Sequence, residues 1–355
     1  MASADHSIFT TLTIAAIKKE ADDFKTFVFA KGHSIKWKSG QFLTLVQMIN
    51  GGEVRRSYSI TASPIAGEPL AVGIKRITNG IFSRQVYDKA RVGDKWITTG
   101  AAGFFILPGD IVKYESIFFF AAGSGITPIF SLLKTVLINH PQMKVVLVYS
   151  NHAPGSTIFL AELTELQKNN AHRLSIEYIF SNNPDLRRAH LNRDFLHQLL
   201  EQYQPSAERT LFYTCGPEAY MRMVIYQLQE TGYPKEHIKK EDFVLNRPAP
   251  PLKVPPDKDR HKVMIQLYGH QHHFEVQYPD TILSAAKKQG LQLPYSCETG
   301  RCGSCAALCL QGKVWMANNE VLTDKELQQG IILTCVGYPM GGDVVLQVGS
   351  PTIIL

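Results

Sequence analysis

The chain has 355 residues, with 45% hydrophobic and 19% charged side chains and a formal net charge of +6. This composition excludes wholesale disorder, and the length suits two or three domains better than one. Residues 261–355 hold 6 Lys and Arg against 7 Asp and Glu, so by subtraction residues 1–260 hold 31 against 24. No basic run with interleaved aromatic residues accompanies that surplus, so the sequence does not predict nucleic-acid binding.

Neither a secretory segment nor a membrane span is expected. The first residues are polar, and six cysteines without a signal peptide indicate a reducing cytoplasm rather than disulfide bonds. The apolar run 117–133 is interrupted by Gly123, Gly125 and Pro128, which mark a strand, a turn and a helix start. We therefore expect a cytoplasmic protein without membrane attachment.

Short stretches with alternating polarity fill residues 8–108. They predict a small antiparallel β-barrel, because only one helical segment, Phe82–Lys89, interrupts the strands. The predicted strands are Thr11–Ala16, Thr26–Ala30, Phe42–Gln47, Arg56–Thr61, Leu70–Ile77 and Lys95–Thr99.

Two segments of this barrel carry residues suited to a phosphorylated ligand with a flat ring. Arg56 can bind phosphate oxygens in a two-pronged manner, Tyr58 offers a flat ring face, and Ser59 offers a hydroxyl to a ring nitrogen. Taken alone, R-x-Y-S is a weak signal, since an exposed Arg and a strand Tyr are common. Main-chain N–H groups suited to a pyrophosphate lie at the start of the helix, in Gly80, Ile81, Phe82 and Ser83.

Residues 109–245 alternate between strands and helices, which predicts an α/β domain with an open parallel sheet. The buried run Ile117–Ala122 is followed by Gly-Ser-Gly-Ile-Thr-Pro and a helical pattern. Glycines let the main chain approach a pyrophosphate, while Thr127 can cap the helix and Pro128 suits its first position. A second buried strand within Leu211–Pro217 ends in Cys-Gly-Pro.

Residues 246–260 are predicted to form a proline-rich linker. Five prolines fall within 248–256. Such segments favour an extended polyproline conformation, so we expect a semi-rigid spacer that separates the last domain from the others by up to about 40 Å.

The most specific motif lies within residues 261–355. Cys297, Cys302, Cys305 and Cys335 follow the spacing C-x4-C-x2-C…C of plant-type [2Fe–2S] ferredoxins, whose thiolates hold two irons. A structural zinc site and thiol chemistry remain alternatives, although zinc ribbons usually pair two C-x2-C knuckles. Cys309 lies in an apolar run and is predicted to be a packed core thiol rather than a ligand.

The flanking pattern indicates a β-grasp ferredoxin fold. A hairpin is predicted to turn at Gly269, a helix to span Thr281–Gln289 and stop at Gly290, and a closing strand to span Val344–Val348.

In this order the three domains resemble the ferredoxin–NADP reductase superfamily joined to a C-terminal plant-type [2Fe–2S] ferredoxin domain. The motifs that carry the resemblance are R-x-Y-S at 56–59, Gly-x-x-Ser at 80–83, Gly-Ser-Gly-Ile-Thr-Pro at 123–128 and Cys-Gly-Pro at 215–217. The resemblance implies FAD, with FMN as the alternative, together with a [2Fe–2S] cluster and NAD(P)H. NADH and NADPH are both open, because Asn151-His152 stand where NADPH users often place an Arg, while Arg187 and Arg188 offer a substitute.

The resemblance also implies roles for single residues. Arg56 and Ser83 are expected to hold the flavin phosphates, and Tyr58 and Ser59 to face the isoalloxazine ring. Phe243 is expected to cover the flavin until nicotinamide displaces it. Ile74 and Lys75 are expected to line the flavin, while the residues expected at the nicotinamide dinucleotide are Gly123, Ser124, Gly125, Thr127, Pro128, Cys215, Gly216 and Pro217. The residues expected to act in hydride transfer are Ser59, Cys215 and Phe243.

The overall plan is similar to that of the reductase components of multicomponent oxygenases. It implies that a hydride passes from NAD(P)H to FAD, and that single electrons leave through the cluster to an oxygenase partner of the phenylacetyl-CoA epoxidase type. A reductase of a Rieske-type ring or steroid hydroxylase, a stand-alone diaphorase and an iron–sulfur redox sensor remain alternatives.

Overall fold

The structure, a computed structural model, describes residues 8–243 and 253–349. Within these residues the strands form three main sheets, one for each predicted domain, and a small two-stranded ribbon. The predicted fold class, an antiparallel barrel, a parallel-sheet α/β domain and a C-terminal ferredoxin domain, is therefore confirmed. None of the helices in the described residues combines the length and the apolar character needed to cross a membrane.

The first unit, which we call the barrel, is a six-stranded antiparallel sheet in the order β4-β3-β6-β1-β2-β5. Pairing of Ile60 with Val72 and of Thr61 with Ala71 brings its two edges together. All six predicted strands are present, although the strand predicted to start at Arg56 begins earlier. The elements are β1 Thr10–Ala21, β2 Phe24–Phe29, β3 Phe42–Ile49, β4 Gly52–Ser59, β5 Ala71–Lys75, α1 Ile81–Lys89 and β6 Lys95–Ala102.

The second unit, the nicotinamide domain, is a five-stranded parallel sheet in the order β11-β10-β7-β8-β9. Alternate residues of its central strand pack to opposite faces, Phe119 among the side chains of α2 and α3 and Phe120 among those of α5 and α6. The elements are β7 Ser116–Ala122, α2 Ile126–Asn139, β8 Lys144–Asn151, α3 Leu160–Asn169, β9 Leu174–Phe180, α4 Leu186–Ala189, α5 Arg193–Tyr203, β10 Thr210–Cys215, α6 Glu218–Glu230 and β11 Ile238–Glu241.

The barrel and the nicotinamide domain share packed and polar contacts. Phe24 of the barrel belongs to the apolar core of the nicotinamide domain. The hydroxyl of Ser131 donates to the Ala62 carbonyl at 2.7 Å, and Lys134 pairs with Glu68 at 2.5 Å. These contacts fix helix α2 of the nicotinamide domain against the barrel.

The third unit, the ferredoxin domain, is a five-stranded sheet in the order β13-β12-β18-β14-β16, in which β12 and β18 run parallel. The predicted hairpin, helix and closing strand are confirmed, and Thr281 caps the helix by accepting from the Ser284 N–H at 3.1 Å. The elements are β12 His261–Leu267, β13 His270–Val276, α7 Ile282–Lys288, β14 Ala306–Gln311, β15 Val314–Met316, α8 Asp324–Gln328, β16 Ile331–Leu333, β17 Gly337–Pro339 and β18 Val344–Val348.

The predicted spacer differs from the structure in its second half. The stretch 253–260 lies against the ferredoxin domain, because Asp257 accepts from the Gly341 N–H at 2.6 Å and from His261 Nε2 at 2.8 Å, and Pro255 is buried. The ferredoxin domain also touches the barrel directly, so the predicted separation of up to about 40 Å is wrong. The first part of the predicted linker, up to residue 252, lies outside the described residues.

Candidate functional site

Strand β4 carries the first group of predicted site residues. Alternate side chains of a strand point to opposite faces, so Arg56 and Tyr58 share one face while Arg55 and Ser57 share the other. Arg56 is exposed, and its Nη1 donates to the Arg55 carbonyl at 2.8 Å. Tyr58 is half-buried 5.9 Å from the ring of Phe82, and burial raises the pKa of its phenol. One face of β4 therefore offers a cation and a neutral aromatic ring.

The predicted pyrophosphate segment forms the start of α1. Gly80 is the N-cap residue, and its N–H donates to the Ile77 carbonyl at 3.0 Å, while the Arg84 N–H donates to the Gly80 carbonyl at 3.0 Å. The N–H groups of Ile81, Phe82 and Ser83 are therefore those available to an anion. The Ser83 hydroxyl accepts from the Ile77 N–H at 3.3 Å and donates to the Gly80 carbonyl at 3.3 Å. It thus shapes the loop in which the segment lies.

Strand β5 meets these expectations only in part. Ile74 is fully buried in the barrel core, so its side chain does not line a surface site. Lys75 pairs with Asp23 at 3.3 Å. A Cβ atom on Gly73 would lie 2.8 Å from the Thr127 methyl group, which shows how closely β5 approaches the loop of the nicotinamide domain. At Gly73 the main chain of β5 therefore comes close to the nicotinamide domain, whereas the Ile74 side chain points into the barrel core.

Residues 123–125 form a tight turn between β7 and α2, and residues 126–128 begin that helix. Gly123 has a φ of +54°, and a Cβ atom on Gly125 would lie 2.0 Å from the Cys215 carbonyl oxygen. The predicted cap differs from the structure, because Gly125 is the N-cap and Thr127 is the second helical residue. The Thr127 hydroxyl instead donates to the Ser124 carbonyl at 2.8 Å. Pro128 is consequently the third helical residue rather than the first.

Cys215, Gly216 and Pro217 lie beside this turn, at the carboxyl end of β10. The Cys215 side chain is fully buried, and burial raises the pKa of its thiol well above the ordinary value. A Cβ atom on Gly216 would lie 2.9 Å from the Cβ of Ala122. Parallel α/β sheets bind ligands at the carboxyl ends of their strands, so the two loops form one candidate nucleotide site.

The strand next to Cys215 ends in Glu241, to which the sequence analysis gave no role. Cys215 and Glu241 are paired across β10 and β11. Desolvation raises the pKa of Glu241 to about 8, and the Asp242 carboxylate adds to the rise. Phe243, the last residue before the gap in the described chain, is 40% exposed. Its predicted cover of the flavin stays a prediction.

The four predicted ligand cysteines come together as two interacting pairs. Hydrogen bonding from Cys302 lowers the pKa of Cys297, and hydrogen bonding from Cys335 lowers the pKa of Cys305. Hydrogen bonding with Cys305 and then burial raise the pKa of Cys335, and the charges of the other three thiols add to the rise. Within the described residues, no three His, Cys, Asp or Glu side chains are arranged around a single ion. Cys309 is half-buried on β14 against the ferredoxin core, as predicted for a packing thiol.

The loop around these thiols fits an iron–sulfur cluster. The Thr299 N–H points to Cys297 Sγ and the Ser304 N–H to Cys302 Sγ, both at 3.5 Å, which are the N–H···S contacts that such clusters use. Gly300 has a φ of +78°, and a Cβ atom there would lie 2.9 Å from the Asn318 carbonyl oxygen. Glycine is therefore required where the loop closes round the thiols.

The cluster loop lies directly on the barrel. The Ser57 hydroxyl of β4 donates to the Ser296 hydroxyl at 2.9 Å, and the Thr44 and Ser304 hydroxyls are 3.5 Å apart. A Cβ atom on Gly303 would lie 2.8 Å from the ring of Phe104. The thiol loop therefore contacts the same strand that presents Arg56 and Tyr58.

Three family descriptions match successive parts of the chain. Oxidoreductase FAD-binding domain matches residues 11–106, and oxidoreductase NAD-binding domain matches residues 119–225. The 2Fe-2S iron-sulfur cluster binding domain matches residues 265–340, which include all four cysteines.

Curated relatives align over nearly the whole chain. A subunit of 1,2-phenylacetyl-CoA epoxidase from Escherichia coli (strain K12) is 32% identical over 96% of this chain and 97% of that one. The ferredoxin reductase component of 3-ketosteroid-9-alpha-monooxygenase from Rhodococcus rhodochrous is 32% identical over 93% and 94% of the two chains. The chain belongs to the oxygenase reductase family. This oxygenase reductase is an NAD(P)H-dependent oxidoreductase whose cofactors are FAD and a [2Fe–2S] cluster.

Solved structures show the same fold. Phthalate dioxygenase reductase matches with a TM-score of 0.59 at 24% identity, over 96% of this chain and 98% of that one. An intact type IV self-sufficient cytochrome P450 monooxygenase matches with a TM-score of 0.66 at 21% identity, over 96% of this chain and 41% of that one. The three-domain order of the reductase therefore recurs both as a separate chain and within a longer one.

Proposed function

We propose that this reductase takes a hydride from NAD(P)H and delivers single electrons to an oxygenase component of the phenylacetyl-CoA epoxidase type. The observation that carries the proposal is the contact of the thiol loop with β4, because it brings the end of the electron path to the strand that presents Arg56 and Tyr58. The alignment with the 1,2-phenylacetyl-CoA epoxidase chain over 96% of this one supports the choice of partner.

Each part of the chain has a task in this proposal. Bound FAD converts a hydride into single electrons, and the [2Fe–2S] cluster carries one electron at a time. Arg56 and the N–H groups that open α1 hold the flavin phosphates, while Tyr58 orients the ring. The Ser59 side chain does not share this role, because it is buried on the face of β4 that carries Arg55 and Ser57. The turn at 123–128 and the Cys-Gly-Pro segment at 215–217 hold the dinucleotide. No side chain has to form a covalent bond with a substrate.

The four thiols of Cys297, Cys302, Cys305 and Cys335 hold the cluster in this proposal. The domain limits 8–108, 109–245 and 261–355 and a cytoplasmic location also belong to it. A reducing compartment suits the site, because these thiols must stay free to bind iron.

Reconstitution of the complete reaction tests this function. The purified holoprotein, with NADH or NADPH, is mixed with the oxygenase subunits of a phenylacetyl-CoA epoxidase, and product formation is measured. Substrate-coupled turnover with one of the two coenzymes is the expected result. Nicotinamide oxidation that never yields oxygenated product, with a flavin that is nevertheless reduced, would instead favour a stand-alone diaphorase.

A steroid oxygenase is the second candidate partner. The reductase component of 3-ketosteroid-9-alpha-monooxygenase is also 32% identical to this chain. The same assay with a 3-ketosteroid oxygenase component therefore serves as the direct comparison. Faster coupled turnover with the steroid system would overturn the assignment to the epoxidase type while leaving the electron-transfer function in place.

A further inference from the structure

Arg55 is the most thoroughly buried cation at the boundary between the barrel and the ferredoxin domain. Its side chain is only 2% exposed, whereas the neighbouring Arg56 is exposed. A buried guanidinium is unfavourable unless its N–H groups are bonded and its charge is balanced. The partners of Arg55 therefore indicate the role of this residue.

Most of these partners belong to the ferredoxin domain. Arg55 Nη1 donates to the Leu293 carbonyl at 3.1 Å, and Nη2 donates to Gln292 Oε1 at 3.3 Å. The remaining nitrogen, Nε, donates to Glu53 Oε1 at 2.7 Å and so balances the charge within β4. The bonds to residues 292 and 293 join positions that are 237 and 238 residues apart in the chain.

Tyr295 completes the contact. The Arg55 guanidinium lies 3.8 Å from the centroid of the Tyr295 ring, and Lys287 Nζ lies 3.4 Å from the same centroid. The Tyr295 hydroxyl donates to Glu53 Oε1 at 3.2 Å. Both an aromatic ring and a main-chain carbonyl of the ferredoxin loop are therefore fixed by Arg55 and its counter-ion.

The segment held in this way leads directly into the first cluster ligand. Tyr295 is followed by Ser296, which accepts from the Ser57 hydroxyl at 2.9 Å, and then by Cys297. Arg55 and Ser57 lie on one face of β4 and contact the cluster loop. Arg56 and Tyr58 lie on the other face, at the proposed flavin site, so a single strand takes part in both sites.

We infer that Arg55 is a positioning residue that fixes the cluster loop against β4 and so sets the geometry for electron transfer from flavin to cluster. The inference rests on the proposed function. Arginine is required rather than lysine, because the residue uses three separate nitrogens and a planar face in fixed directions. Loss of these contacts leaves the hydride site intact but lets the 292–297 segment move.

The test uses the full-length holoprotein carrying Arg55→Met, mixed anaerobically with the coenzyme that reduces the wild type. Flavin bleaching is followed by absorbance and cluster reduction by electron paramagnetic resonance. We expect flavin reduction at about the wild-type rate and cluster reduction slowed by about tenfold or more, since small displacements have large effects on rate. Hydrogen exchange of the amides in 290–298, measured on the resting protein, should become faster.

Two further variants make the test specific. Arg55→Lys keeps the positive charge but not the fork of donors, so an intermediate slowing is expected. Arg209→Met is the matched control, because Arg209 pairs at 3.0 Å with Glu115 on the exposed surface of the nicotinamide domain, with side chains 59% and 46% exposed. It should leave cluster reduction and hydrogen exchange at 290–298 unchanged.

Wild-type rates of cluster reduction and unchanged hydrogen exchange in Arg55→Met would overturn the inference. If that variant fails to retain flavin and iron, Arg55→Lys decides: slowed cluster reduction with faster exchange supports the inference, and wild-type behaviour rejects it. A wild-type protein whose cluster is never reduced by nicotinamide would refute the proposed function itself, an outcome distinct from a negative result at Arg55.

Discussion

Two glycine-containing loops, 123–128 and 300–304, differ in what encloses them. The Cβ that Gly125 lacks would overlap the Cys215 carbonyl oxygen at 2.0 Å, within the same nicotinamide domain. The Cβ that Gly303 lacks would lie 2.8 Å from the ring of Phe104, which belongs to the barrel. At these two glycines, therefore, the first loop meets its own domain and the second loop meets a different one.

This difference separates two kinds of function. The nucleotide loop takes its turn from a contact within its own domain, although β5 of the barrel approaches it at Thr127. A cluster loop that is completed by the barrel has its shape and its position fixed by the same contacts, among them Ser57 with Ser296. Changes in the first loop should therefore act on hydride transfer, and changes in the second on the transfer between domains.

The largest effect is expected from removing a cluster ligand. Cys335→Ser should abolish electron transfer to a one-electron protein acceptor while NAD(P)H still bleaches the flavin, because only the end of the path is lost. The prediction is checked by measuring the iron content, the acid-labile sulfide content and the rate of acceptor reduction. Cys309→Ser is the matched control and should keep both, since Cys309 lies outside the thiol quartet. Unchanged acceptor reduction in Cys335→Ser would contradict the proposed path.

A substitution at Gly125, in the loop 123–128, should have the next largest effect. Gly125→Ala forces its new methyl group against the main chain of Cys215, and overpacking of this kind typically costs about 1–3 kcal/mol. Flavin reduction by NAD(P)H should become slower, whereas reduction of the cluster by dithionite should be unaffected. Stopped-flow absorbance separates the two, and slowing of both would show that the loop is coupled to the cluster.

A substitution at Gly303, in the loop 300–304, should have a smaller effect, and a second substitution should partly relieve it. Gly303 has a φ of +76°, so Gly303→Ala combines backbone strain with contact against Phe104, and together these should destabilise the ferredoxin domain by about 1 kcal/mol or more. Adding Phe104→Leu should relieve the contact but not the strain. Urea unfolding of the single and double variants measures this coupling, and strictly additive effects would rule it out.

The smallest effect on electron transfer is expected at Glu241, which acts on stability instead. Its pKa is raised from 4.5 to about 8 by desolvation first and by Asp242 second, so the folded protein holds this proton more tightly than the unfolded chain. Glu241 therefore makes the free energy of unfolding decrease as the pH rises from about 4.5 to 8. Glu241→Gln should flatten that part of the profile. The measurement is thermal unfolding of both proteins between these pH values. If Glu241→Gln leaves the dependence of stability on pH unchanged, the raised pKa of Glu241 is contradicted.

The short motifs were predictable because their chemistry is local. The spacing of Cys297, Cys302, Cys305 and Cys335 restricts a loop to a few geometries, and Gly123 permits a turn with a positive φ whatever surrounds it. Ile74 shows the limit of such reasoning. The motif in which it lies is recognisable, but only the structure shows its side chain fully buried in the barrel core.

By itself the sequence determined three domains, their order and the kind of cofactor that each one holds, and it predicted the thiols that would bind iron. Each of these depends on residue types within a short span. Only the tertiary structure decided that Arg55 and Ser57 of β4 meet the cluster loop, whereas the proline-rich composition of the linker predicts domains held apart. Strand periodicity distinguishes the two faces of β4 but does not show which residues each face contacts. The reason is that the partners are distant in the chain: Arg55 and Leu293 are 238 residues apart.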